Sequence, residues 1–579
     1  MQYGKLSLIL GSALFCTGLS MSADFYVAPS AQGTGDCSSQ ANACEFSTAL
    51  SNVGNNGEAD TIFVSGGTYE LTSTLQLHLY DNKPLTIKAL DPYNKPVLDG
   101  DPDNDPSTSN SVQVMLISTD IVSVIDTDVI ITIENLIFQN GGTDKHGGGL
   151  YIPVQSAEVN IEGCEFKNNE ASVGSNTWDG GGLYIFTRKN SKIKVSNSYF
   201  IGNKTGNGGG GAFITCAGTC DNPVTVENNV FKENSTRDFA GGLRISSFKG
   251  AVSVVNNVFY KNSSEGIGGL SADGKEVLLL NNTFSENTDN GAGLSGGGAV
   301  IFLVEDTDKA YIYNNVFWNN TTADPYGDDL SIYNDQNSNG TGSPVELKNN
   351  IFSGNAKFNE ASDSNPGNGR LESGDLYIRN TDSYTQSGNT NGDPQFVDQA
   401  NGDLRLSDGS PAMDTGTDAL PTGYSLPTTD INGNDRAIDG DGDGTATVDM
   451  GAYEFGMTLT ITKSGSGSGD VTSNPNTVDC GSTCSKKVGK NLNVTLTATP
   501  DSGSQFSTWE GDCSSCGNNT DCTITLDANK SCNAVFALVS GGTGGGGGGG
   551  GGCSSSPVSS LPVWSLVPVL MFLRRLLRR

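Results

Sequence analysis

Basic residues and histidine are scarce in this sequence. It has 33 Lys and Arg against 64 Asp and Glu, a formal net charge of −31, and two histidines among 579 residues. Nucleic-acid binding needs clustered cations that neutralise phosphates, so this balance excludes a nucleic-acid partner. The two histidines, His78 and His146, belong to no recognisable catalytic triad and are predicted to lie at the surface.

Helical periodicity is missing as well, and so is a regular Gly-X-Y period. Glycine is abundant at 77 residues, which without that period excludes collagen. Ala, Lys, Glu and Leu are concentrated in no segment, whereas Asn, Asp, Ser, Thr and Gly dominate. The composition predicts an all-β chain that is rich in turns.

A seven-residue motif recurs, as in NNVFKEN at 228–234, NNVFYKN at 256–262 and NNTFSEN at 281–287. Its phenylalanines are 25 to 35 positions apart, and each follows an aliphatic residue by five positions. A structural repeat of this length is typical of a solenoid. The repeated phenylalanines are Phe138, Phe166, Phe200, Phe231, Phe259, Phe284, Phe317 and Phe352.

A glycine-led strand precedes each motif, for example GGGLYI at 147–152 and GGGLYIF at 180–186. Each unit is therefore predicted to be a strand, a corner rich in Gly or Asn, and a second strand. Stacking the units at the ~4.8 Å strand spacing would place each Phe on the next. Asn and Gly suit the corners because both tolerate left-handed φ, and Asn can also bond to its equivalent one coil away. Cys164 is predicted to be a buried small residue of this stack.

The repeats, together with DTIFVSGGTYEL at 60–71 and KPLTIKALDPYNKPVLDG at 83–100, resemble the pectin-lyase-like superfamily. The resemblance covers roughly residues 24–455. It implies an all-β fold, a right-handed parallel β-helix built as a single-chain solenoid, followed here by a small disulfide-bonded β domain.

The closing segment, 390–455, resembles the end of the choice-of-anchor group of bacterial surface β-helix proteins. Within it, Asp439, Asp441 and Asp443 match the first half of a D-x-D-x-D-G calcium loop, whose alternating carboxylates suit Ca²⁺. Position twelve is Met450 where a bidentate Glu is expected, so an acidic surface turn is the alternative. A structural Ca²⁺ is the one cofactor that the sequence suggests.

Residues 456–538 contain the segments VTLTATPDSGSQFSTWEGDC and CTITLDANKSCNAVF. Through these segments they resemble the bacterial repeat module related to internalin B-repeats. Trp509 is expected to be its core aromatic. The resemblance implies the pairs Cys480–Cys484 and Cys513–Cys522, which leaves Cys516 for Cys532. The sequence alone allows fifteen connectivities, and a zinc site at Cys513-Ser-Ser-Cys516 is the competing interpretation.

The first 23 residues carry one lysine, an apolar run from Leu6 to Leu19 and then small residues, which predicts a secretory signal peptide. A lipoprotein signal at Cys16 is the alternative. Export permits disulfides, and two pairs close in sequence are expected to form. These local pairs are Cys37 with Cys44 and Cys216 with Cys220.

The C-terminus combines a Gly/Ser-rich linker at 539–556 with an apolar, Arg-ended segment at 557–579. It resembles the GlyGly-CTERM sorting signals cut by rhombosortase in Gram-negative bacteria, with Gly551, Gly552 and Cys553 at the sorting motif. The resemblance implies a sorting protease as partner and a secreted or cell-surface protein, held in the membrane transiently or permanently. A plain tail anchor is the alternative.

Three function classes suit such a chain: a binding or adhesion protein, a polysaccharide lyase or hydrolase, and a structural stalk. Lyases on this fold use an Arg or Lys base and Ca²⁺ bound by acidic residues. Arg244, Asp328 and Asp329 are weak catalytic candidates with no evident partner set, so no catalytic site is predicted.

Binding has a better candidate in the glycine-led strands. Tyr151, Tyr184, Phe213 and Arg244 are predicted to face outward in four successive coils, at ~4.8 Å intervals close to a sugar-ring repeat. The alternative is a cross-strand ladder that stabilises the sheet. Tyr260 and Trp318 are further outward candidates, on the other strand. The sequence therefore predicts an exported, non-catalytic protein whose partner is a polysaccharide or another surface ligand.

Overall fold

The computed structural model describes residues 23–539, and the predicted signal peptide and sorting tail lie almost wholly outside this range. Across the part that is described, no helix is both long and apolar enough to cross a membrane. The range excludes sixteen internal stretches: 54–56, 81–82, 102–110, 120–128, 173–176, 190, 220–221, 248–249, 292–295, 304, 306, 326, 335–343, 359–369, 380–383 and 481–483.

Three long sheets form the walls of a parallel β-helix, which confirms the predicted fold. The aliphatic sheet comprises Ala23–Val27, Asp60–Val64, Leu85–Ala89, Val129–Glu134, Ala157–Glu162, Lys192–Ser196, Val224–Glu227, Ala251–Val255, Glu276–Leu280, Lys309–Tyr313, Val345–Lys348 and Tyr384–Ser387. The phenylalanine sheet comprises Thr68–Glu70, Val97–Asp99, Ile137–Gln139, Glu165–Lys167, Tyr199–Ile201, Val230–Lys232, Val258–Tyr260, Thr283–Ser285, Val316–Trp318, Ile351–Phe352 and Thr390–Asn391. The glycine-led sheet comprises Leu75–Leu79, Met115–Thr119, Leu150–Pro153, Leu183–Lys189, Ala212–Thr219, Leu243–Ser247, Leu270–Asp273, Ala299–Leu303, Leu330–Asn334, Leu376–Arg379 and, antiparallel at its edge, Arg370–Glu372.

A short fourth sheet joins the phenylalanine and glycine-led walls. It comprises Glu170–Ala171, Lys204–Thr205, Ser235–Thr236, Ser263–Ser264 and Thr288–Asp289. The N-terminal coil also carries a 3₁₀ turn at Gln40–Asn42 and a helix at Phe46–Leu50 whose Phe46 packs edge-on against Tyr69.

Each coil has three long strands rather than the predicted two. The residue three positions before each Phe adopts positive φ and is Asn in seven of the eight coils, as in Asn228 (56°), Asn256 (63°) and Asn281 (52°), with Gly163 in the other. This left-handed residue bends the chain between the aliphatic strand and the phenylalanine strand. The sequence pattern shows the periodic side chains on both sides of the bend, but it does not show the bend itself.

The phenylalanine stack is confirmed. All eight rings are fully buried, and successive ring centroids are 4.6 to 5.1 Å apart with nearly parallel planes. The register pairs Phe231 with Phe259 and Phe259 with Phe284. Because the copies lie directly on one another, one continuous core runs along the solenoid.

Buried asparagines form two hydrogen-bonded ladders beside this stack. In each ladder one amide nitrogen donates to the next amide oxygen at 2.8 to 3.1 Å. One ladder follows Phe by three positions: Asn169, Asn203, Asn234, Asn262, Asn287 and Asn320. The other precedes Phe by two positions at Asn229, Asn257, Asn282, Asn315 and Asn350, and it ends at the half-buried Asn389, in the coil where Asn391 takes the place of Phe. The asparagines that bend the chain and the asparagines that form the ladders are therefore different residues.

Cys164 is buried and free, and burial raises the pKa of its thiol to about 12. The thiolate is the reactive form, so folded protein at pH 8 should leave Cys164 unmodified by iodoacetamide. Peptide mapping checks this, with urea-unfolded protein as the control in which Cys164 is alkylated. Alkylation of Cys164 in the folded protein would contradict the placement.

The closing segment lies along the side of the solenoid. Its strands, Phe396–Asp398 and Asp403–Leu406, flank a 3₁₀ turn at Gln399–Asn401. The corner asparagines bind it: Asn281 donates to Asp449 O at 2.9 Å, and Asn314 donates to Thr417 O at 2.9 Å. A buried ion pair between Arg436 and Glu454, at 3.2 Å, lies within the segment.

This segment overturns the prediction that Tyr260 and Trp318 are outward candidates. Tyr260 is 3% exposed and its hydroxyl donates to Gln399 O at 2.6 Å. The Trp318 indole donates to the Gln399 side chain at 3.0 Å. Both side chains do point away from the Phe stack, but the closing segment covers that face.

The C-terminal domain is a four-stranded sheet packed with a three-stranded one around Trp509, which is 1% exposed. The strands are Met457–Gly465, Gly469–Asn474, Ser485–Val488, Asn493–Pro500, Ser504–Gly511, Asp521–Thr525 and Lys530–Leu538, with a 3₁₀ turn at Ser514–Cys516.

Two of its predicted disulfides are wrong. Cys480–Cys484 forms, but Cys513 pairs with Cys532 and Cys516 pairs with Cys522. The antiparallel register sets Gly511 opposite Cys532, which brings Cys513 beside it. These bonds also exclude the zinc interpretation. In the solenoid Cys37 bonds Cys44 as predicted, and Cys216 is disulfide-bonded, while Cys220 lies outside the described residues.

Candidate functional site

Glycines fix the start of each strand that carries the predicted outward row. Gly180 has φ +67°, and a Cβ there would lie 2.5 Å from Leu183 O. At Gly181 a Cβ would lie 2.3 Å from Lys204 O, on the short sheet. Glycine lets the chain turn tightly against its neighbours at these two positions, and the outward residue that follows, Tyr184, is held in register with Tyr151.

The predicted row forms on the outer face of the glycine-led sheet. The register pairs Tyr151 with Tyr184, Tyr184 with Phe213 and Phe213 with Arg244. The three rings stack with centroids 5.2 Å apart, and the Arg244 guanidinium lies 4.8 Å from the Phe213 ring centroid. The strand at Leu183–Lys189 is longer than predicted, and it adds Arg188 at the far edge of this face.

The row is not the open platform that the sequence suggested. Tyr184 is 6% exposed and Phe213 is 7% exposed, and Tyr151 alone of the three rings is half-buried. Loops that precede the glycine motifs fold over the row, and Phe239 covers Arg244 at 4.9 Å. Tyr184 and Phe213 therefore act as a cross-strand ladder, and Tyr151 remains the accessible end.

His146 and Trp178 form a wall beside Tyr151, and the sequence pattern did not predict this wall. The His146 ring lies 5.6 Å from Tyr151, 4.6 Å from Tyr184 and 4.9 Å from Trp178. Its side chain is 25% exposed, so this residue lies only partly at the surface. The sequence does contain a signal for this contact: His146 and Trp178 come just before the glycines of successive coils, so they are placed beside each other.

His146 is neutral in this wall. Its Nδ1 lies 3.6 Å from an Asp179 carboxylate oxygen, but it also accepts the Asp179 backbone N–H at 3.1 Å. A nitrogen that accepts a hydrogen bond carries no proton, and burial lowers the His146 pKa. His146 therefore contacts Asp179 through a hydrogen bond from the Asp179 backbone N–H and does not form an ion pair with its carboxylate.

A buried carboxylate lies next to the row. Burial raises the pKa of Asp179 to about 6, although the Arg244 charge and a hydrogen bond from Asn207 at 2.9 Å oppose that shift. The Arg244 charge also acts on Asp238 at the surface. Two carboxylates therefore surround the one guanidinium of the row, and the local charge is balanced or negative.

A groove of about 530 Å³ opens in front of Tyr151. Its floor is the outer face of three paired strands, where Gln76, Leu116 and Tyr151 are in register. Thr143 and Lys145 line it from the loop that ends at His146. Gln113 fixes that loop by donating to the carbonyls of His146 and Gly147 at 2.6 and 2.7 Å.

The weak catalytic candidates do not come together. Asp329 is fully buried, accepts from Asn320 at 2.9 Å and so ends an asparagine ladder, and burial raises its pKa to about 7. Asp328 accepts the Thr322 backbone N–H at 2.8 Å. The strand of Arg244 is three steps from theirs, which is ~14 Å. Both aspartates therefore make hydrogen bonds within the fold, and a catalytic role for them stays untested.

The acidic turn is organised differently from the calcium prediction. Carboxylate oxygens of Asp414, Asp439 and Asp441 lie within 4.8 Å of one another, while Asp443 accepts the Thr445 backbone N–H at 2.7 Å. Asp414 was not in the predicted set, because it lies 25 positions before Asp439, outside the D-x-D-x-D-G motif. Oxygen ligands of this kind suit Ca²⁺, and its binding stays a prediction.

Comparisons with known proteins agree with the architecture. The family described as "Right handed beta helix region" matches residues 117–302, and the family described as "Divergent InlB B-repeat domain" matches residues 457–540. No curated protein matches this chain.

Two solved structures are similar in part. The crystal structure of pectate lyase Pel9A has 15% identity and a TM-score of 0.41, covering 75% of this chain and 97% of its own. A mannuronic acid specific polysaccharide family 6 lyase from human gut microbiota has 14% identity and a TM-score of 0.23, covering 66% and 89%.

Proposed function

We propose that this chain binds a glycan without cleaving it, in the groove in front of Tyr151. The observation that carries the proposal is the half-buried Tyr151 ring, which lines a groove together with Gln76, Thr143 and Lys145. An aromatic face packs against the apolar face of a sugar ring, while amide, hydroxyl and ammonium groups bind its hydroxyls.

The charges favour a neutral glycan over a polyuronate. The chain carries a net charge of −31, and Asp144 lines the groove together with Lys145. Arg244 is compensated by Asp179 and Asp238. A polyanion would meet repulsion here, whereas neutral hydroxyls find both donors and acceptors.

The cellular setting is part of the same proposal. The signal peptide, the linker and the Arg-ended tail support export and sorting to the cell surface of a Gram-negative bacterium by a rhombosortase-type protease. A protein displayed in this way meets polysaccharides outside the cell, which suits a glycan-binding solenoid better than a purely structural stalk.

Tyr151→Ala should weaken binding about ten-fold because it removes the accessible aromatic face. Affinity electrophoresis in gels with hydroxyethyl cellulose, galactomannan or polygalacturonate measures this, and we expect a neutral polymer to retard the parent most. Tyr26→Ala is the matched control, since Tyr26 is a half-buried tyrosine stacked at 5.1 Å on Phe63 on a different sheet. Equal mobility of Tyr151→Ala and parent on every polymer would refute the proposal.

The rival function is a polysaccharide lyase or glycoside hydrolase. Assays for unsaturated and reducing ends on the same polymers, with and without Ca²⁺, separate the two. We expect no release above a boiled-protein blank. Release that survives in Tyr26→Ala and disappears in Asp179→Asn would establish an enzyme instead.

A further inference from the structure

The His146 ring holds one wall of the groove in place. The loop that ends at His146 carries Thr143 and Lys145, which line the groove in front of Tyr151. The Nδ1 atom of His146 accepts the Asp179 backbone N–H at 3.1 Å, so the ring attaches this loop to the next coil. The position of the two groove residues therefore depends on the His146 side chain.

The contact between His146 and Asp179 depends on the protonation state of the imidazole. In the neutral ring Nδ1 has a lone pair that accepts a hydrogen bond, whereas both ring nitrogens are donors in the imidazolium. Protonation would set two N–H groups against each other. It would also leave the N–H of Asp179, a residue that is 7% exposed, without its acceptor, and an unpaired buried donor destabilises the contact.

The titratable groups around His146 come from its own loop, the short sheet, the glycine-led sheet and the following coils. They are Asp144, Lys145, Glu170, Tyr151, Tyr184, Asp179, Arg244 and Asp238. The Asp179 carboxylate comes nearest, with an oxygen 3.6 Å from the His146 Nδ1.

This carboxylate does not favour an imidazolium in acid. Burial raises the pKa of Asp179 to about 6, so its carboxyl gains a proton as the pH falls and then carries no charge to offset one on His146. Burial also lowers the pKa of His146 below its ordinary value of 6.5. The surroundings therefore keep the ring neutral at pH 7, and protonation requires a more acid solution.

We propose that His146 is a positioning residue whose neutral ring holds the groove wall, so that glycan binding in front of Tyr151 is lost on acidification. The inference rests on the proposed function, because it adds a regulation to the same groove. If the form with a protonated ring does not bind, the dissociation constant rises with the protonated fraction. The affinity then falls about ten-fold for each pH unit below the pKa of His146.

The test follows binding and protonation over the same range, from about pH 7.5 to about pH 4.5. Calorimetry uses hydroxyethyl cellulose or galactomannan, whichever retards the parent more, because neither polymer titrates and any pH dependence belongs to the protein. Nuclear magnetic resonance of protein with isotope-labelled histidine follows the two rings of the chain, His78 and His146. The affinity of the parent should fall over the range in which the His146 signal shifts.

Four variants identify the group that senses the pH. His146→Gln should bind with an affinity that does not depend on pH, since the amide oxygen can accept the Asp179 N–H and does not titrate. His146→Ala should bind more weakly than His146→Gln at pH 7. Asp179→Asn should keep the loss in acid. His78→Gln is the matched control and should keep it too, because His78 lies on an outer strand of the same sheet and contacts Ser118 at 3.0 Å.

The outcomes separate this inference from the proposed function. A constant affinity across the range, a His146 signal that does not shift, or a loss in acid that persists in His146→Gln would overturn the inference and leave glycan binding intact. Unfolding in acid would produce the last of these results, and circular dichroism identifies it. A parent that binds neither polymer at any pH would overturn both proposals.

Discussion

Replacing Phe259 by alanine is expected to lower the free energy of unfolding by about 3–5 kcal/mol. The ring is fully buried between Phe231 at 4.9 Å and Phe284 at 4.7 Å. Its neighbours are fixed by parallel strands on both sides, so they cannot move in to fill the cavity. Urea unfolding followed by circular dichroism measures the change.

Tyr199→Ala is the control for this experiment. Tyr199 lies in the same sheet, directly before Phe200, but it points outward and is 46% exposed. Its replacement should cost well under half as much as that of Phe259. Similar losses for the two variants would mean that the stack of rings is not what holds the coils together.

The sequence repeat was sufficient to predict the phenylalanine core, because residues at equivalent positions of successive coils stack directly on one another. Each Phe contacts its own equivalent one coil away, so the spacing in sequence is sufficient to identify Phe231, Phe259 and Phe284 as neighbours. The same logic identified the row of Tyr151, Tyr184, Phe213 and Arg244. Contacts between equivalent residues of successive coils can therefore be predicted from a repeated sequence pattern.

The errors concern contacts that no repeat describes. Tyr260 binds Gln399 from 139 positions away, and nothing in the periodic segment signals that cover. His146 and Trp178 come from loops whose lengths differ between coils, so the packing of His146 on Tyr184 and on Trp178 does not follow from the period. The cysteine pairing failed for a similar reason, because antiparallel register rather than closeness in sequence decides it.

The two asparagine positions show how one residue type takes two roles. Asn228 has positive φ and accepts from Asn256, whereas Asn229 is fully buried and its amide bonds backbone and side chain at once. The sequence predicts that the Asn-Asn pair supplies both a left-handed φ and a hydrogen-bonded amide ladder, but it does not show which Asn has which role. The assignment gives a prediction in which the same substitution has very different costs at the two positions of the pair.

Asn257→Asp is expected to cost about 3–5 kcal/mol at pH 7, because it places a carboxylate in a fully buried ladder. The Asn257 amide nitrogen donates to Val226 O at 2.8 Å and to Val255 O at 3.0 Å. A carboxylate there would face these carbonyl oxygens with no hydrogen to donate. Asn228→Asp is the control, because Asn228 is half-buried and a carboxylate can still accept from Asn256.

The loss in Asn257→Asp should depend on pH. Burial raises the pKa of the new carboxyl in the folded state above its unfolded value of about 3.9, so the folded state holds a proton that the unfolded state releases. The variant therefore loses stability relative to the parent as pH rises from about 4 towards 7. Below about pH 4 the acid is protonated in both states, and the deficit should fall to the about 1–3 kcal/mol of the missing donor. Urea midpoints of parent and variant at pH 4 and pH 7 measure this, and a deficit that is equal at both values would show that the ladder tolerates a buried charge.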